Sequence, residues 1–198
     1  MTDWIITHEK FLDDDEVKKL QESIEKDMLF AKRKGRQLAV RNYTIIELAL
    51  GTGLRVSELT NLKLEDINLK RGQNFLIVRK GKGGKTRQIK FSNRLKVIII
   101  KYLEYRNSDS PFLFYSERGE KMTTSAIQRI FKNVAKKAGL DEHYSVHCLR
   151  HTYATRIYRS SNYNLRLTQR QLGHSSPNTT AVYAGVIDED LEEAVEKL

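Results

Sequence analysis

Along the chain, apolar residues return every three or four positions, separated by short polar or glycine-containing breaks. That period belongs to α-helices with one buried face. Asp13, Asp14 and Asp15 precede Glu16, Val17 and Leu20, an acidic start that predicts a capped helix running to about Phe30. Lys32-Arg33-Lys34-Gly35-Arg36 reads as a basic linker. Val40, Tyr43, Ile46 and Leu50 mark a second helix from about Gln37 to Leu50. Gly51 and Gly53 are expected to end it and to open a short helix over Arg55 to Leu62. Asn93 to Tyr105 predicts a further helix, and Thr123 or Thr124 caps another that reaches Ala138 and stops at Gly139. Ser145 is expected to cap a helix over His147 to Tyr158. Leu165 to Leu172 follows, stopped by Gly173, and Ser176-Pro177 signals a helix through Tyr183. Leu191, Ala194, Val195 and Leu198 form a small amphipathic helix at the end.

Two stretches break this rhythm. Asn74 to Val78 and Thr86 to Phe91 read as strands, joined through Gly81-Lys82-Gly83-Gly84. They predict a β-hairpin with a long, mobile tip. Phe112 to Tyr115 is expected to be a further short strand. The fold class is therefore mainly α with a small β-hairpin or sheet, and no internal repeat is apparent.

Composition narrows the functional classes. The 198 residues are 39% hydrophobic and 30% charged, as in a soluble globular chain. The longest apolar run, Val97 to Ile100, is far too short to cross a bilayer, so no membrane partner is expected. No basic region followed by an apolar one opens the chain, so no secretory signal is read. A single cysteine, Cys148, leaves no internal disulfide framework and no Cys-rich zinc site, and a cytoplasmic location is the expectation.

Charge says more. The net charge is +10, yet residues 1–27 and 188–198 each carry −5, which leaves +20 on the middle of the chain. Between Glu142 and Asp188 there is no carboxylate, while Arg150, Arg156, Arg159, Arg166 and Arg170 all fall there. From Lys70 to Lys90 there are eight Lys or Arg and again no carboxylate. A basic body with acidic ends points to a polyanionic partner.

Four segments are unusual for a helical core. Gly53-Leu54-Arg55-Val56-Ser57-Glu58-Leu59 puts an arginine in a first helical turn among apolar neighbours. His147 and Arg150 stand three apart on one face, away from Leu149, Tyr153 and Ile157. Leu172-Gly173-His174 ends a helix with a histidine, and Tyr183 follows nine residues later. The basic hairpin tip with Lys82 is a fifth part. Together with His151-Thr152 and Thr179-Thr180-Ala181-Val182-Tyr183, in this order and spacing, the chain resembles the tyrosine recombinases of the phage-integrase and Xer-like family, from about residue 12 to 190.

The resemblance implies roles. Tyr183 would be the nucleophile, Arg55 and Arg150 would clamp the scissile phosphate, and His174 would hydrogen-bond it. His147 would assist proton movement at the tyrosine, and Lys82 would protonate the leaving 5′ oxygen. Lys80, Lys85, Arg87 and Lys90 would touch DNA backbone. The partner implied is double-stranded DNA, with self-association into a synaptic tetramer. These residue types suit the chemistry. Two guanidiniums are permanent planar donors matched to phosphate, and they meet developing charge without a metal. A phenol of pKa near 10 is ionised only to about one part in a thousand at pH 7, so cations and a base must assist it. A poor alkoxide leaving group needs a general acid. No carboxylate cluster sits in the basic core, so neither a metal nor another cofactor is expected.

Alternatives attach to several residues. Arg55 also fits an ion pair with Glu58 at i+3. His147 and His151 stand at i and i+4, a spacing that suits zinc, but no third ligand is evident nearby; His151 is read as structural. Lys80 and Lys85 flank the same tip as Lys82, and the sequence does not choose among the three for the leaving group. Cys148 is read as a small buried residue. Relatives in the family carry an N-terminal helical domain that closes a clamp on DNA. The stretch before the second helix is too short for one, so the expected organisation is a catalytic domain over residues 1–187, with its core about 12–187, and an acidic helix over 188–198. That helix would dock on a neighbouring protomer or pack on its own domain. A natural minimal enzyme, similar in length to the fimbrial-switch recombinases, a remnant integrase, and an excised piece of a longer chain all fit this reading. The rival functions are a type IB topoisomerase and a non-catalytic DNA-binding regulator derived from a recombinase.

Overall fold

The structure is a computed structural model that describes residues 10–33, 37–79, 86–173 and 195–196. Helix α1 spans Asp14–Arg33. Its start is reciprocal: the Glu16 N–H donates to Asp13 Oδ1 at 2.7 Å, and the Asp13 N–H to Glu16 Oε2 at 3.1 Å. Val17, Leu20 and Ile24 are its buried face. They pack on α2, Gln37–Thr52, the most enclosed helix of the fold. Val40, Ile45, Ile46, Leu48, Ala49 and Leu50 are all buried because α1, α4 and α6 cover α2 from different sides. Gly51 lies inside α2, which runs two residues beyond the end its apolar pattern suggested. The stop is Gly53, whose φ of +62° is the left-handed conformation that glycine takes without strain.

After α3, Val56–Asn61, a single 3-10 turn leads into a three-stranded antiparallel sheet of order β1-β2-β3. Strand β1 is Ile67–Lys70, β2 is Gln73–Val78 and β3 is Arg87–Lys90. Leu76 stands opposite Ile67 on one side and Ile89 on the other, and Leu76 and Ile89 are fully buried. The sequence reading missed β1. Half of its four residues are polar, and its pairing comes from β2 across the Arg71-Gly72 turn, where Gly72 has φ +74°. The hairpin tip, with Lys80, Lys82 and Lys85, lies outside the described residues.

Helix α4, Asn93–Tyr105, is capped by the Ser92 hydroxyl, which accepts from the Leu95 N–H at 3.2 Å. Phe112 to Tyr115 is not a strand. It makes two isolated bridges, Lys63 with Phe112 and Tyr115 with Lys121, while Leu113 and Phe114 point fully into the core. Apolar burial rather than ladder pairing is what its hydrophobic run reported. Helix α5, Thr124–Lys137, begins at the Thr123 cap as expected. Helix α6, His147–Ser160, does not use Ser145 as its cap; Val146 holds that position without a side-chain bond, and the Ser145 carbonyl accepts from the Cys148 N–H at 2.9 Å. Helix α7, Leu165–Leu172, starts on the Asn164 side chain and ends at Gly173, φ +67°. The helix expected to reach Tyr183 lies outside the described residues, as does the acidic end apart from Val195 and Glu196.

Most buried apolar side chains form one cluster, and a smaller one holds Phe11, Tyr153, Ala154, Tyr158 and Leu172. The smaller cluster fastens α7 to α6. Cys148 is buried, and loss of solvation pushes its thiol up to about 12. It is an inert packing residue, as its sequence position suggested.

Gly53 should not tolerate a side chain. A Cβ there would sit 2.4 Å from Tyr153 Cδ1 and 3.1 Å from Leu172 Cδ2, on a backbone that disfavours any L-residue. Gly53→Ala is expected to lose about 2–4 kcal/mol in urea unfolding, the sum of left-handed strain and overpacking; a loss under 0.5 kcal/mol would contradict this packing. His151 predicts a pH dependence. Burial, then the charges of Arg150, His147 and Lys10, push its imidazole down to about 4. The unfolded chain binds this proton below about pH 6.5 and the folded chain does not. Stability should therefore fall between about pH 6.5 and 4, by on the order of 2 kcal/mol after allowance for partial exposure. In His151→Gln that stretch of the stability curve should flatten.

Candidate active site

Two of the arginines singled out in the sequence meet at one turn. Arg150 is only 7% exposed, although it carries a permanent charge. It lies between the end of α2 and the end of α7, donating Nη1–H to the Gly53 carbonyl and Nη2–H to the Leu172 carbonyl, the latter at 3.0 Å. Those carbonyls belong to helix ends, where backbone acceptors lack intrahelical partners and helix dipoles are negative. The left-handed turn at Gly53 leaves its carbonyl for Arg150 to reach, and Tyr153 packs against the same glycine. His147, one turn before Arg150 on α6, is exposed. The two share a helix face, as their spacing predicted, but only Arg150 sinks under α7. Tyr153 fills that side, so its ring and Arg150 are neighbours in the packing; burial pushes the Tyr153 phenol up to about 12 despite Arg150 nearby.

Two residues after Gly53, Arg55 occupies the N-cap position of α3. A cation at a helix N-terminus is unfavourable. Glu58, one turn on, compensates. Glu58 Oε2 accepts the Arg55 backbone N–H at 2.9 Å, and Oε1 accepts from Arg55 Nη1 at 3.2 Å. The ion pair weighed as an alternative for Arg55 is therefore present, and the arginine side chain remains 27% exposed beside it. Beyond Arg55 opens a cavity of about 590 Å³, lined also by Ser57, Glu58, Asn61, Lys63, Asp66 and Arg79.

Glu58 has a second guanidinium. Arg87, the first residue of β3, donates Nη1–H to Oε1 and Nη2–H to Oε2, both at 2.8 Å. Burial alone would raise the Glu58 carboxyl. The Arg87 fork, with the Arg55 N–H and charge, outweighs it and holds the group below the usual carboxylate value. Arg87 is 12% exposed. Its chain runs beside Gly173, where an added Cβ would sit 2.3 Å from Arg87 Cδ. Arg87 was expected to touch DNA backbone; here its fork is occupied by Glu58 and its stem is covered. Lys90, exposed on the same strand, remains available to a polyanion.

A second depression, about 270 Å³, lies at the start of α6 and is lined by Lys10, His143, His147 and His151. His143 Nδ1 pairs with Asp141 at 2.8 Å. Among the described residues, no three His, Cys, Asp or Glu side chains are grouped to hold a metal ion.

The structure thus brings Arg150 to the carbonyl of Gly53, two residues before Arg55, while His147, one turn before Arg150 on α6, lines the separate depression beside His143 and His151. Lys82, Lys80, Lys85, His174 and Tyr183 lie outside the described residues. The described chain reaches Gly173 beside Arg87, one residue after Leu172, whose carbonyl accepts from Arg150. The sequence reading missed the partner of Arg87. Its partner lies 29 residues away, and only the i+3 relation of Arg55 and Glu58 was visible locally.

Comparison with known proteins identifies the family and the fold. A family model described as the phage integrase family matches residues 10–189. The chain is 43% identical over 191 residues to tyrosine recombinase XerA of Pyrococcus furiosus, covering 95% of this chain and 61% of that protein. The fold matches a crystal structure of XerA recombinase with a TM-score of 0.75 and 30% identity, over 92% of this chain and 65% of that one. It matches the XerH site-specific recombinase, bound to a palindromic difH substrate in a post-cleavage complex, with a TM-score of 0.78 and 28% identity, over 93% of this chain and 52% of the other. The chain spans roughly half to two thirds of these relatives. Motifs, fold and a match over nearly the whole length converge: the chain belongs to the phage integrase family.

Proposed function

We propose that this chain is the catalytic part of a site-specific DNA recombinase that breaks and rejoins strands through a covalent phosphotyrosine. The observation that carries the reading is the anchoring of Arg55 and Arg150 around one turn, Arg150 on the Gly53 carbonyl and Arg55 two residues later on Glu58. A phosphodiester repels a nucleophile, and its transition state gathers charge on the non-bridging oxygens. Guanidiniums already held in place meet that charge without reorganising. In the proposed step the Tyr183 oxygen bonds to phosphorus and the bond from phosphorus to the 5′ oxygen breaks. His147 takes the phenolic proton, and Lys82 gives an ammonium proton to the departing 5′ oxygen. His174 donates to the same phosphate. The ester keeps the energy of the broken bond, so rejoining by a free 5′ hydroxyl needs no ATP.

The basic middle of the chain supports double-stranded DNA as substrate, with Lys90 on β3 and Lys80 and Lys85 on the hairpin as backbone contacts. One structural relative is described in complex with its difH substrate. Recombination exchanges strands between two duplexes, so the proposed working assembly is a tetramer, with the acidic 188–198 segment joining protomers. The relatives are named as recombinases, which favours this reading over a relaxing topoisomerase or a non-catalytic regulator. Such a protein works inside the cell, on DNA. Among the described residues, no helix is long and apolar enough to cross a membrane.

Tyr183→Phe should bind DNA with unchanged affinity and form no adduct with a nicked suicide substrate, read as a protein–DNA band that survives denaturing electrophoresis. An adduct in that variant would sink the assignment of the nucleophile. Arg150→Ala should slow adduct formation by at least about 100-fold. It also leaves two helix-end carbonyls unpaired, at about 1–3 kcal/mol, so its unfolding must be followed alongside. Cleavage within a few-fold of wild type would contradict the phosphate-clamp role.

A further inference from the structure

Arg55 can grip a phosphate only if Glu58 does not neutralise it. Their side chains already touch at 3.2 Å. A carboxylate with one arginine for a partner closes on it as a bidentate pair and occupies the planar fork that phosphate needs. Here that fork-to-fork geometry is taken by another arginine. Both Glu58 oxygens accept from Arg87 at 2.8 Å, and Arg55 is left with the longer, single contact. One negative charge is shared by two positive ones, so the trio keeps a net charge of +1 where Arg55 and Glu58 border the cavity.

Arg87 is also built to stay. It starts β3, held in register by Val78 opposite, and Gly173 closes over its stem with no room for a methyl group. Its Nε is buried without a hydrogen-bond partner among the described residues, a cost that a mere surface cation would avoid by turning outward. From these contacts we infer that Arg87 is a positioning residue of the cleavage site: it holds Glu58 so that the carboxylate aims Arg55 at the scissile phosphate without cancelling its charge. The inference rests on the recombinase reading. It replaces the DNA-backbone contact expected for Arg87 from the sequence.

The test separates binding from chemistry. With the full chain and a suicide substrate, single-turnover adduct formation is measured at saturating DNA, and the dissociation constant is measured across a salt series. Arg87→Ala should keep wild-type affinity within about two-fold and the same salt slope, while its saturated cleavage rate falls by about 10–100-fold. The reason is that Glu58 then collapses onto Arg55. Removing the carboxylate's charge should undo that, so Glu58→Gln placed in Arg87→Ala should recover at least several-fold of the lost rate. Arg87→Lys, which keeps the charge but not the fork, should fall between wild type and Arg87→Ala; circular dichroism on each variant sets the folded fraction against which rates are scaled.

Weaker DNA binding with a salt slope lower by about one, and a normal saturated rate, would assign Arg87 to a phosphate contact and overturn the inference. A double variant as slow as Arg87→Ala, or slower, would make the role purely structural and overturn it too. So would a normal rate in Arg87→Ala. If the wild-type chain itself formed no adduct, the recombinase reading would fall, a result distinct from all of these.

Discussion

A guanidinium that cannot lose its proton must have its charge and its donors answered wherever the fold buries it. Arg150 meets that requirement in part with backbone carbonyls at two helix ends, Gly53 and Leu172. Carbonyls answer hydrogen bonds without cancelling charge. The site is therefore organised around a cation that is buried, fixed and still positive, and much of the local architecture follows from that. Gly53 must be left-handed for its carbonyl to be reached, Tyr153 must pack against it, and α7 must end where Leu172 can accept.

Arg55 solves the same problem by another route. It sits at the edge, partly exposed, and it does take a carboxylate partner. Neutralisation is avoided because Glu58 is shared with Arg87. The two arrangements join three parts of the chain that are remote in sequence: the α2–α3 turn, the hairpin strand β3 and the end of α7. Two of these parts border a segment to which a reacting group is assigned. β3 follows the hairpin tip that holds Lys82, and Gly173 precedes His174.

The sequence made much of this legible, and the exceptions have a common cause. Helices α1, α2, α4, α5 and α7 were readable because capping and amphipathic periodicity are local: Asp13 with Glu16, Ser92 with Leu95, Thr123 with Ala126 and Asn164 with Leu167 act within three residues. Arg55 and Arg150 stood out because a cation among apolar neighbours needs a reason. What failed depended on partners far along the chain. Strand β1 exists because β2 pairs with it, and Phe112 to Tyr115 looked like a strand because it is buried, while its neighbours offer no ladder. Arg87 looked like one more basic residue on a basic hairpin. Its carboxylate lies 29 residues away, so only the folded chain distinguishes a buttress from a DNA contact.

The central claim is that Arg55 and Arg150 are held in advance where a phosphate must sit. The most direct measurement is a structure of the full chain on DNA in which vanadate replaces the scissile phosphate between Tyr183 and the 5′ oxygen. The account predicts guanidinium nitrogens of both arginines at about 2.7–3.0 Å from equatorial vanadate oxygens, with Arg150 still on the Gly53 and Leu172 carbonyls and Glu58 still bridging Arg55 and Arg87. A vanadate bound with either guanidinium turned away, or one that forms only after those anchoring bonds have broken, would contradict it.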